Sequence, residues 1–196
     1  MSVQSALEHF VSRYQHTYPE LTEIYDPQWR SACESAQPFT DDAGIARIPW
    51  QPLKRGLDTM ITHDFDGLEN ALKVTVHPDV KAYYGSYWSG GLEAEAPQGH
   101  VSLILLWNQQ DAERLIANLI GHAMAKQRNR VPMSVFFACT EVDSELFLSV
   151  ENTTGQVLLE KPGHKPVEVV ADDLATFIDT LVPAAPELHP ERRQLV

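Results

Sequence analysis

The chain has 196 residues, 43% hydrophobic and 21% charged, enough to bury a core as one domain without disulfides or a structural metal. That balance excludes a disordered tail, and 10 glycines with 13 prolines exclude collagen-like and low-complexity chains. Fifteen Lys and Arg against 27 Asp and Glu leave a net charge of −12, which repels nucleic-acid phosphates and anionic lipid headgroups alike.

Solubility alone accounts for such an excess; a docking surface for a basic partner is the sharper reading. The longest apolar run, residues 101–107, is far short of the roughly 20 residues of a bilayer span. No export signal is readable near the start, where polar and acidic residues interrupt the apolar ones, so a cytoplasmic protein is expected. Cys33 and Cys139 form no CxxC and no zinc spacing, which suits a reducing compartment. Cys139, inside an apolar run, is expected to be a buried thiol.

Residues 2–15 predict an amphipathic helix, with Val3, Leu7, Phe10, Val11 and Tyr14 on one face, Ser5 and Glu8 as a capping box, and Pro19 beyond the end. Prolines 27, 38, 49 and 52 break every run between residues 20 and 58, where only short elements and loops are expected. Residues 66–73 predict a short helix capped by Asp66, and His77-Pro78-Asp79 starts another that runs to Gly85. Residues 92–96 alternate apolar side chains with Glu93 and Glu95, and the turn Pro97-Gln98-Gly99 joins them to an apolar strand over 101–107. This predicts a hairpin whose edge strand shows its acids to solvent.

Asn108 caps the clearest helix, with Asp111 three residues on and an apolar stripe of Ala112, Leu115, Ile116, Leu119, Ile120, Ala123 and Met124. Lys126, Arg128 and Arg130 at its far end complement the helix dipole and need no ligand. Residues 133–139, 145–151 and 156–160 predict antiparallel strands in a meander, the last two joined by Asn152-Thr153-Thr154-Gly155. A helix over 172–181 buries Leu174, Phe177, Ile178 and Leu181 before Pro183. The organisation expected is one α+β domain over residues 1–183, a mostly antiparallel sheet flanked by helices, with 184–196 as a flexible tail.

Catalytic signatures are missing. Neither GxxxxGK[ST] nor GxGxxG occurs, and the eight histidines never form HxxxH or HExxH, so neither a cofactor nor a metal is expected. The glycine-rich stretch around Ser86 and Ser89 lacks the GxSxG spacing of a nucleophile elbow. His122, on an apolar helix, could be a ligand or base, but a packed histidine with one hydrogen bond accounts for it better. Glu93 and Glu95 share a face and could line a groove, yet nothing in the sequence buries either, and an enzyme is not indicated.

The string Asn118-Leu119-Ile120-Gly121-His122, followed by a basic stretch and Val131-Pro132, closely resembles the Syd family of bacterial SecY-interacting proteins. Residues 133–140 resemble the family's next strand, Glu141 and Glu145 its acidic turn, residues 152–157 its next hairpin and residues 173–177 its last helix. Phe10, Arg13, Tyr14 and Trp50-Gln51-Pro52 extend the likeness over about residues 4–183, whereas residues 20–45 and those after Leu181 fit poorly.

The resemblance implies a non-catalytic protein with a fold like that of Knr4/Smi1-like and toxin-immunity proteins. It further implies peripheral attachment to the cytoplasmic face of the bacterial inner membrane, docked on the cytoplasmic loops of SecY, where it would monitor translocon assembly. Such loops are enriched in Lys and Arg, so a −12 chain is drawn to them without lipid insertion. Under this reading Asp64, Asp66, Glu69, Glu93 and Glu95 share a concave acidic face, and Tyr83, Tyr84, Tyr87 and Trp88 supply flat anchors unless they pack in the core. The alternative keeps the groove and changes the partner: an immunity-type protein that neutralises a basic toxin.

Overall fold

Seven strands whose alternate residues are apolar pair antiparallel into the central sheet, and helices bury both of its faces. The computed structural model describes residues 1–56, 65–141 and 143–186. Helix α1 (Val3–Thr17) leads into a small sheet ordered β1-β3-β2, built from β1 (Leu21–Ile24), β2 (Phe39–Thr40) and β3 (Ala46–Trp50). β4 (Leu53–Lys54) pairs with β5 (Tyr87–Trp88), and between them come α2 (Asp66–Leu72) and α3 (Pro78–Ser86). The central sheet follows with β6 (Leu92–Ala96), β7 (Gly99–Leu103), α4 (Gln109–Arg128), β8 (Ser134–Cys139), β9 (Phe147–Glu151), β10 (Val157–Glu160), β11 (Glu168–Ala171), α5 (Leu174–Thr180) and β12 (Val182–Pro183). Its order is β11-β10-β9-β8-β7-β6-β12, an α+β fold.

The helices form where periodicity places them. α1 buries the predicted Val3, Leu7, Phe10, Val11 and Tyr14 together with Ala6, but its cap is Ser2, whose hydroxyl accepts the Ser5 N–H at 3.2 Å. Burying each such side chain contributes about 1.5–3 kcal/mol. α2 begins at Asp66 with no side-chain cap. Asn108 caps α4 as expected, accepting from the Asp111 N–H at 3.0 Å, yet Met124 at the end of its stripe is 44% exposed. β7 ends at Leu103 rather than at 107, because the chain turns off to seat Trp107: its backbone N–H donates to Asp111 and its indole N–H to the Trp29 carbonyl, each at 2.9 Å.

Two successive residues of β8 mark the two layers. Phe137 meets Tyr83 of α3 and Phe177 of α5 at ring distances of 5.6 and 5.8 Å, and α1 packs on both helices. Phe136 faces the other way, edge-on to His122 of α4 at 5.9 Å. A bulge between Phe136 and Ala138 disturbs the alternation, and Cys139 emerges exposed instead of buried, while Cys33 is the enclosed thiol, its pKa pushed up to about 12 by burial.

On the α4 side, Glu160 ties four elements together. Its carboxylate accepts from Ser134 of β8 at 2.5 Å, from Ser149 of β9 at 2.6 Å and from the Lys126 ammonium of α4. Lys126, in the last turn of α4 where its charge complements the helix dipole, is also the buried partner of Glu160, which the sequence does not reveal. Burial would push the Glu160 carboxyl up, but the three donors outweigh it and hold it below its ordinary range. His122 donates or accepts at Ser134 Oγ over 3.3 Å beside this group, and burial pushes its pKa down. It is the packed histidine that the sequence favoured.

The β9–β10 turn is fastened to the start of α3. The His77 N–H donates to the Asn152 amide oxygen at 3.0 Å, and the Asn152 amide donates to the Thr75 carbonyl at 2.8 Å. Gly155 has φ +78°, and a Cβ there would lie 2.8 Å from the His77 ring, so only glycine fits.

Candidate functional site

The β6–β7 hairpin puts acids and a histidine on one face by simple counting. A two-residue turn sets Ala96 against Gly99, and from there Glu95 falls opposite His100 and Glu93 opposite Ser102. Leu92 and Ala94, the alternate residues, are fully buried on the other face. Cross-strand partners share a face, which carries the same side from Ser102 to Cys139 and on to Phe147. Phe147 touches His122, so the hairpin acids lie on the α4 side of the sheet. The contacts of α4 described above run to β8, β9 and β10; farther along this face Glu95 and Cys139 are exposed.

His100 is the hub. Its Nε2 lies 2.8 Å from Glu93 Oε2 and its Nδ1 3.4 Å from Glu95 Oε1. The Ser102 hydroxyl donates to the other oxygen of Glu93 at 3.0 Å. Glu141, from the turn after β8, accepts the His100 backbone N–H at 3.1 Å. Gly99 makes room for it: with φ +141°, it would bring a Cβ within 3.4 Å of the Glu141 carboxylate. Burial pulls the His100 pKa down, but the hydrogen bonds and charges of Glu95 and Glu93 prevail and raise it. Two carboxylates facing one imidazole, with a third on its backbone N–H, attract a cationic group.

The other acids expected on this face are engaged elsewhere. Glu69 accepts from Lys81 of α3 at 2.6 Å and from the Val76 N–H at 2.7 Å, so it braces the α2–α3 junction. Asp66 is half-buried in the first turn of α2, and Asp64 lies outside the described residues.

The aromatics divide. Tyr83 and Tyr84 are fully enclosed, their hydroxyls donating to the Phe137 and Phe136 carbonyls at 3.3 and 2.7 Å, and Tyr87 is buried as well. They are core residues and not flat anchors, because α3 lies against the inner face of the sheet. Trp88 is half-buried with the Arg55 guanidinium stacked 3.7 Å from its ring centre. The sequence reading does not single out His100, although counting outward from the Pro97-Gln98 turn puts it opposite Glu95, and it places Glu141 only in an acidic turn and not beside the hairpin.

A cavity of about 290 Å³ lies elsewhere, where the first residues of α1, α3 and α5 meet around Ser2, Asp79 and Asp173. Asp173 there is a helix cap, its carboxyl held low by the Thr176 N–H. Among the described residues no helix is long and apolar enough to cross a membrane.

Comparison with known proteins agrees with this architecture. The family model described as Syd protein (SUKH-2) matches residues 4–183. Protein Syd of Pseudoalteromonas atlantica is 38% identical over 186 residues, covering 93% of this chain and 96% of that protein. Protein Syd of Alteromonas mediterranea is 35% identical over 187 residues, with 93% and 97% covered, and that of Shewanella denitrificans 35% over 195 residues, with 97% and 86% covered. Because the match runs from the first turn of α1 to the end of β12 and takes in every strand of the central sheet, the chain belongs to the Syd family.

Proposed function

We propose that the chain docks on the positively charged cytoplasmic loops of SecY through the carboxylates of the β6–β7 face, held peripherally at the bacterial inner membrane, and thereby monitors translocon assembly. The observation that carries this reading is the gathering of Glu93, Glu95 and Glu141 around His100 on one sheet face of a −12 chain. Family membership supports it, as does the Lys and Arg enrichment of cytoplasmic loops. A single exposed ion pair contributes only about 0.2–1 kcal/mol, so several carboxylates act together. Glu95 and Glu141 are the exposed members and take the first contact; Glu93 lies beneath His100.

Cosedimentation with SecY-containing membrane vesicles tests this directly. The Glu95→Lys, Glu141→Lys double variant should lose roughly ten-fold or more in affinity, about 1.4 kcal/mol. Wild-type binding should weaken steeply as salt rises from about 0.1 to 1 M and the screening length falls from about 10 to 3 Å. Salt-independent binding, or full binding by the double variant, overturns the reading.

A further inference from the structure

Both ring nitrogens of His100 face carboxylates. Nε2 is 2.8 Å from Glu93 and Nδ1 is 3.4 Å from Glu95. A neutral imidazole has one N–H and one lone pair, so it would point that lone pair at one of the two anions; only the imidazolium donates to both. The arrangement therefore encodes a charge state in its geometry. Glu93, with a side chain only 5% exposed, accepts from the Ser102 hydroxyl on one oxygen and faces His100 with the other.

We propose that His100 is a proton-operated cover on the docking face: as an imidazolium it holds Glu93 and Glu95 to the hairpin and withholds them from a cationic partner, and as a neutral ring it releases them. This rests on the docking reading above and adds its regulation. Charged and titratable groups approach from each neighbouring element. β6 brings Glu93 and Glu95, the turn after β8 brings Glu141, and β8 itself brings Cys139 opposite Ser102. Beneath β6 lies Tyr14 of α1, next to Tyr18; Arg13 of the same helix donates to the Leu181 carbonyl just before β12, and β12 beside β6 brings Val182 and Pro183. Loss of the proton removes the imidazolium's charge from between Glu93 and Glu95. The raised pKa of His100 is consistent with that placement.

Proton and partner then compete for the same carboxylates. By linkage, whatever factor deprotonation adds to the affinity, partner binding must subtract from the proton affinity of His100. Binding should strengthen as pH rises through the titration of His100, the reverse of what simple protonation of a basic partner's own histidines at low pH would produce.

The test is vesicle cosedimentation at fixed ionic strength between about pH 6 and 8.5. Wild type should tighten roughly five- to ten-fold across this range. His100→Gln should bind tightly at every pH and His100→Arg weakly at every pH. A His100→Gln variant that keeps the wild-type slope overturns the proposal. Imidazole NMR of the free protein is the second arm: His100 should carry protons on both nitrogens and titrate above about 6.5, and a pentalysine probe should lower that midpoint. A midpoint below the ordinary value, or one that pentalysine leaves in place, also overturns it. Should wild type fail to bind vesicles at any pH and salt, the docking reading falls, and the NMR arm still decides the cover.

Discussion

On β8 to β10 one carboxylate, Glu160, is sealed under α4 with a lysine and two serines, whereas on β6 and β7 Glu93 and Glu95 share one histidine at the open part of the same face. Both clusters are ion pairs with a hydroxyl in support, but they differ in what surrounds them. The Lys126 and Glu160 side chains are 9% and 1% exposed; Glu95 is 58% exposed and can exchange its partner for water or another cation. Burial turns the first into a fixed part of the fold. Exposure leaves the second available for exchange, which fits docking and not scaffolding.

The largest expected effect comes from breaking the sealed pair. Glu160→Ala leaves an ammonium buried without its counter-ion and should cost about 3–5 kcal/mol, read from urea unfolding. Replacing both partners, Lys126→Met with Glu160→Leu, should recover most of that loss, since two apolar groups need no mutual compensation. If the single and double variants are equally unstable, the cost lies in shape and not in charge.

The pH dependence should separate the clusters by sign. The lowered Glu160 pKa gives stability that is full above the ordinary carboxyl value, about 4.5, and is lost as pH falls through the folded value. The raised His100 pKa gives stability that is full below about 6.5 and is lost as pH rises through the folded value. Urea midpoints should therefore fall at both ends of the range, with Glu160→Gln flattening the acid limb and His100→Gln the alkaline one. Each variant leaving its own limb unchanged would erase the contrast.

Smaller effects follow. Ser149→Ala removes one of three donors to Glu160 and should cost about 1–3 kcal/mol. Glu95→Gln, at the exposed end of the other cluster, should change stability by less than about 0.5 kcal/mol in the same measurement while weakening vesicle binding.

How far the sequence reveals these clusters depends on the distance between their members. α1 and α4 are readable because their apolar positions recur every 3 or 4 residues, and the Asn108 cap sits where the stripe begins. The hairpin is readable too, and with it the His100 position, since register follows from the turn. The partnership of Lys126 and Glu160 is not: 34 residues separate them, and only the docking of α4 on the sheet brings them together. A hint survives in His122 and Lys126, four apart on α4, with Ser134 and Ser149 as small polar residues in apolar strands. β11 escaped because its exposed Val169, next to Val167 at the sheet's edge, breaks the rule that apolar residues turn inward. Cys139 was misplaced by the bulge, which no composition rule anticipates.

Hairpin loops are usually the safest places to lengthen a chain. The β9–β10 turn is an exception, because Asn152 and Gly155 serve as the seat of α3 through Thr75 and His77. An epitope or reporter inserted there would unseat a helix whose tyrosines fill the middle of the protein. The turn before β11, where Pro162, Gly163, His164 and Lys165 are all exposed, is the place that should accept one.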